Sequence, residues 1–159
     1  MNVVLRVSFR VEASLAHRAL AIDLVSTLVE HVTSADRAFR NAIITAFGEA
    51  FNNVVIHGYK NRTDGMLDVE AELGPDHMTL KLRDDGMHAD LASVPTPDLD
   101  AVPEGGLGIF MINALVDEVV YESGTPNVLS LTKRTTPDRD PTSASADAGP
   151  SPSRESASK

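Results

Sequence analysis

The chain has 159 residues, no cysteine, no tryptophan, 4% aromatic residues and a formal net charge of −9. That balance excludes disulfides, thiolate metal sites and a cysteine nucleophile, and it sets an acidic surface against nucleic-acid phosphates and anionic lipid. No apolar run approaches the roughly 18 residues of a membrane-spanning helix and the N-terminus lacks a secretory apolar stretch, so the sequence predicts a soluble, cytoplasmic protein with an aliphatic core and no direct contact with nucleic acid or membrane.

Val3, Leu5, Val7, Phe9 and Val11 alternate with Val4, Arg6, Ser8 and Arg10, the period of a half-buried strand. Ser14 is placed to cap a helix running to about His31, with Leu15, Leu20, Leu24, Leu28 and Val32 at helical spacing. Asp36 caps a second helix that carries Phe39, Ile43, Phe47 and Val54 on one side and ends at Gly58. "MLDVEAEL" and "HMTLKLRDD" read as two strands joined by a turn at Gly74, Pro75 and Asp76. Asp85 to Glu104 is rich in Pro, Asp and Gly and reads as a loop long enough to act as a lid. Leu107 to Leu115 reads as a third helix, and "EVVYES" with "NVLSLTKR" as a closing hairpin turned at Gly124 to Asn127. Clustered helices among hairpins predict an α+β two-layer sandwich, its sheet mixed but mainly antiparallel with helices on one face. The folded domain spans 1–134, and the Ser, Thr and Pro of 135–159 predict a disordered tail that cannot bury enough apolar surface to order itself.

Three stretches carry chemistry. On the second helix Glu49 and Asn53, at i and i+4, point the same way and outside the apolar arc. An acid and an amide so placed can accept a proton and offer an uncharged oxygen to Mg²⁺, although a plain solvated face has the same pattern. Asp84, Asp85 and Gly86 end the third strand, where a carboxylate could accept an exocyclic amine beside bare backbone; an ordinary Asp-Gly turn looks alike. Gly105, Gly106 and Gly108 crowd the start of the third helix, where unpaired N–H groups and the helix dipole favour an anion, or where close packing needs glycine. His57 lacks a second His or carboxylate at ligand spacing and reads as a helix-end residue. Between Arg83 and Lys133 there is no Lys or Arg, so a triphosphate held there would need Mg²⁺ and backbone N–H groups for neutralisation.

In this order and spacing Glu49-x-x-x-Asn53 resembles the N box, Asp84-x-Gly86 the first glycine box and "GGLGIFMINALVDEVVY" the second glycine box of the histidine-kinase-like ATPase superfamily, the Bergerat fold. The Glu-Ala of the N box and the ending "VDEVVYESGTPNVLSLTKR" look most like the anti-sigma factor serine/threonine kinases of the RsbW and SpoIIAB type, over roughly Val3 to Arg134. The resemblance implies ATP and Mg²⁺ as cofactors, Glu49 as general base for a substrate hydroxyl, and Asn53 as the metal ligand. It further implies that Asp84 reads the adenine amino group beside Gly86, that Gly105, Gly106, Leu107 and Gly108 line the phosphates, and that 87–104 form the lid. As partners it implies a sigma factor and a STAS-domain antagonist that is phosphorylated, with the chain a homodimer. The sequence departs from the pattern at His88, where a second glycine is common, at Ala89 before Asp90, and in lacking a basic lid residue. That last departure leaves open a nucleotide-binding sequestration module without kinase activity.

Overall fold

A computed structural model describes residues 3–88 and 107–135. Five strands, β1 (Leu5–Glu12), β2 (Met66–Leu73), β3 (His77–Asp84), β4 (Glu118–Glu122) and β5 (Asn127–Arg134), form one sheet in the order β1-β2-β3-β5-β4. All four pairings are antiparallel. Among the described residues the α-helices are α1 (Arg18–Val29), α2 (Arg37–Asn53) and α3 (Leu107–Leu115).

Alternation explains why the sheet has one covered and one open face. In β2, Leu67, Val69, Ala71 and Leu73 are buried while Asp68, Glu70 and Glu72 point the other way. The register sets Glu72 opposite Arg6 and Asp68 opposite Arg10, which they bind at 2.6 Å each, and Lys81 reaches Glu72 at 3.0 Å. Exposed pairs of this kind add little stability individually. They let the outer face meet water, as an antiparallel sheet can. On the inner face Phe47, Phe51 and Ile43 of α2 pack with Leu80, Leu82, Leu131 and Ile112 in one aliphatic core.

Local chemistry sets the helix ends. Asp36 Oδ1 accepts from the Phe39 N–H at 2.7 Å and starts α2, satisfying one of its free donors. Ser14 caps a 3₁₀ turn at Leu15–His17, and α1 begins only at Arg18 and stops at Val29. The leucine stripe is not the face that α1 buries: Ala21, Val25 and Val29 face the core, whereas Leu15, Leu20 and Leu24 are exposed. Small side chains permit close approach of α1 to its neighbours, so the buried stripe is less apolar in sequence than the exposed one.

Beyond Asn53, α2 widens into a π turn over Val54–Gly58, with the Tyr59 N–H donating to the Val54 carbonyl. Lys60 and Asn61 follow with φ of 54° and 59°, reversing the chain toward β2. Such wide turns are uncommon and gather at functional sites. This one carries Gly58 from the end of α2 to the end of β3, where its carbonyl accepts from the Met87 N–H at 2.8 Å.

Candidate functional site

The inward residues of β3 run Met78, Leu80, Leu82 and then Asp84, so strand periodicity brings a carboxylate to the edge of the core at 8% exposure. Directly opposite in β5 stands Asn127, 1% exposed. Asp84 Oδ1 accepts from the Gly86 N–H at 2.8 Å and from Asn127 Nδ2 at 3.1 Å. A buried carboxylate is tolerable when donors meet it in this way. Gly86 packs flat on the π turn: a Cβ there would lie 2.8 Å from the Gly58 carbonyl carbon and 2.9 Å from Asp84 Oδ1. Backbone cannot give way cheaply, so glycine is required. Buried Tyr59 completes the floor, donating its hydroxyl hydrogen to the Met66 carbonyl while its oxygen accepts from the Asp85 N–H. Burial pushes the Tyr59 phenol up from its ordinary value and keeps it a neutral donor.

At the other end of the π turn, Glu49 and Asn53 lie half-buried against the first turn of α3. A Cβ at Gly108 would stand 3.1 Å from Glu49 Oε2 and 3.3 Å from Asn53 Oδ1, so both oxygens converge on bare backbone. Among the described residues Asn53 Nδ2 is buried and has no hydrogen-bond partner. A buried amide donor so placed can meet an acceptor oxygen that a ligand brings.

Of the expected site residues, Glu49, Asn53 and Gly108 are brought together, as are Asp84 and Gly86, with Val54–Gly58 joining the two groups. Leu107 opens α3 and is half exposed. Gly105, Gly106 and residues 89–104 of the expected lid lie outside the described residues, as does 136–159 of the expected tail. His57 is exposed at the end of the π turn, and among the described residues no group of three or more His, Cys, Asp or Glu could hold a metal ion. Glu49 Oε2 and Asn53 Oδ1 are hard oxygen donors, which would suit Mg²⁺ arriving with phosphate and water ligands of its own.

One participant was not found by sequence reasoning. Asn127 reads as one polar residue of a hairpin turn, and only the β3–β5 register sets it against Asp84. Arg18 reaches over α2, where its Nε donates to Asn52 Oδ1 at 2.8 Å and its guanidinium covers Gly48, the residue before Glu49. Arg18 therefore lies on the α1 side of α2, whereas Glu49 and Asn53 face α3. No helix among the described residues is long and apolar enough to cross a membrane.

Comparison with known proteins identifies the family and the fold. Residues 11–133 match the family model of the histidine kinase-like ATPase domain. The chain is 34% identical over 94 residues to an anti-sigma F factor of Clostridium beijerinckii, covering 55% of this chain and 64% of that protein. It is 31% identical over 97 residues to a serine-protein kinase RsbW of Staphylococcus aureus, covering 55% and 61%. The match thus spans less than two thirds of either relative's length. A crystal structure of the RsbU and RsbW domains of a Mycobacterium tuberculosis protein shares the fold, with a TM-score of 0.60 at 20% identity over 82% of this chain and 32% of that one.

Proposed function

Because the chain belongs to the histidine kinase-like ATPase domain family, we propose that it is a Mg²⁺-ATP-dependent protein serine/threonine kinase of the anti-sigma, partner-switching kind. The observation that carries this reading is the convergence of Glu49 Oε2 and Asn53 Oδ1 on Gly108, with the Asp84 carboxylate at the far end of the same π turn. The two ends differ in chemistry as the two ends of a nucleotide do.

Asp84 accepts a hydrogen bond from the exocyclic amine of adenine, and Gly86 leaves room for the ring. Asn53 offers its amide oxygen to the metal, and Gly108, with Gly105, Gly106 and Leu107, lines the phosphates. Bound Mg²⁺ supplies neutralisation of phosphate charge that no lysine provides between Arg83 and Lys133. Glu49 takes the proton of the attacking serine or threonine hydroxyl, a role that needs a carboxylate beside the phosphates and not at the base. The names of the relatives, anti-sigma F factor and serine-protein kinase RsbW, support a sigma factor as binding partner and an antagonist protein as phosphoryl acceptor. A STAS-domain acceptor and a homodimeric state complete the proposal.

Isothermal titration of the full chain with ATP, with and without Mg²⁺, tests the pocket. Binding is expected to depend on Mg²⁺ and to weaken at least about tenfold in Asn53→Ala. Binding that is indifferent to both would overturn the assignment.

A further inference from the structure

Asn127 has used every hydrogen bond it can make. Its Nδ2 donates to Asp84 Oδ1 and to the Gly86 carbonyl, both at 3.1 Å. Its Oδ1 accepts from the Gly124 N–H at 3.2 Å and pairs with His88 Nδ1. Two donors and two acceptor sites are the whole capacity of an asparagine amide. The reversed amide would set oxygen against two acceptors, so this network fixes its orientation. At 1% exposure Asn127 has no polar capacity left for a ligand.

We infer that Asn127 is a positioning residue that sets base selectivity through Asp84. Both donors to the Asp84 carboxylate, Gly86 N–H and Asn127 Nδ2, fall on Oδ1. With Oδ1 engaged by both, Oδ2 is the carboxylate oxygen left to accept from a ligand. A carboxylate oxygen so held accepts from an amine and disfavours a carbonyl oxygen, so 6-aminopurine nucleotides are taken and 6-oxopurine nucleotides are refused. The same amide ties the chain after β3, through Gly86 and His88, to the β4–β5 turn at Gly124. Base reading therefore depends on a residue that never touches the base.

This inference rests on the ATP-site reading, and one titration series separates the two. Mg²⁺-ATP and Mg²⁺-ITP are titrated into the full wild-type chain, Asn127→Ala and Asn127→Thr, and the ratio of the two Kd values is compared. The ratio is read within each variant, so a partly folded sample does not distort it. Wild type is expected to prefer ATP at least about tenfold, and Asn127→Ala to bring the preference below about threefold while ITP affinity changes little. Asn127→Thr carries a hydroxyl donor one bond short of the asparagine Nδ2 and is expected to restore only part of the preference, above that of Asn127→Ala. A selective wild type with an equally selective Asn127→Ala would overturn the positioning role alone. A wild type that binds neither nucleotide, or both equally, would overturn the adenine reading and this inference with it.

Discussion

Replacing Gly108 by alanine separates the two reasons a helix can begin with glycine. In the first turn of α3 the added methyl would stand 3.1 Å from Glu49 Oε2 and 3.3 Å from Asn53 Oδ1. Alanine is favoured over glycine within a helix by up to about 1 kcal/mol. Both neighbours are side-chain ends that can retreat by a few tenths of an ångström, so the contacts offset only part of that gain. Stability is expected to stay level or rise by as much as about 1 kcal/mol, a melting shift of roughly 0 to +5 °C. The same methyl occupies the point where the two oxygens converge, so Mg²⁺-ATP binding is expected to weaken at least about tenfold, near 1.4 kcal/mol. Differential scanning calorimetry and isothermal titration on one preparation read both effects. A variant that loses stability while keeping full nucleotide affinity would show that Gly108 serves packing, and the phosphate end of the account would fail.

Gly86→Ala should behave in the opposite way, because its Cβ meets the backbone of Gly58: a loss of about 1–3 kcal/mol in urea unfolding is expected. Val25→Ala should cost about 1.5–3 kcal/mol, whereas Leu24→Ala, on the exposed side of α1, should change stability by less than about 0.5 kcal/mol in the same assay. The Lys81 hydrogen bond, with Arg6 beside it, holds the Glu72 carboxyl below the usual carboxylate range, and the Arg10 hydrogen bond does the same for Asp68. Groups with a lowered folded-state pKa contribute stability above their unfolded pKa and lose it as pH falls through the folded value. The stability difference between wild type and Glu72→Gln should therefore be present at neutral pH and shrink below about pH 4. A difference that grew on acidification would contradict the pairing.

Much of the framework was legible in local pattern. β2 begins and ends where alternation places it, at Met66–Leu73, and α3 ends where helical spacing places it, at Leu115. The i, i+4 spacing of Glu49 and Asn53 and the strand-end position of Asp84 survive because each depends on one element only. Three features were hidden because they depend on tertiary context. The buried stripe of α1 runs through Ala21, Val25 and Val29, since close packing favours small side chains over the larger leucines at Leu20 and Leu24. The π turn at Val54–Gly58 has no compositional mark, yet it joins the two ends of the site. Asn127 lies 43 positions from Asp84, and only strand register reveals the bond between them.

The central claim is phosphoryl transfer with Glu49 as the base. The most direct test is acid-stable labelling of a serine-containing STAS-domain acceptor from radiolabelled ATP, by wild type and by Glu49→Gln, with nucleotide affinity measured on both. The account predicts labelled phosphoserine with wild type, and with Glu49→Gln an ATP affinity within about threefold of wild type but transfer lowered at least about a hundredfold. Transfer by Glu49→Gln at the wild-type rate would remove Glu49 from the chemistry, and a wild type that binds ATP but labels no acceptor would leave a nucleotide-binding sequestration module in place of a kinase.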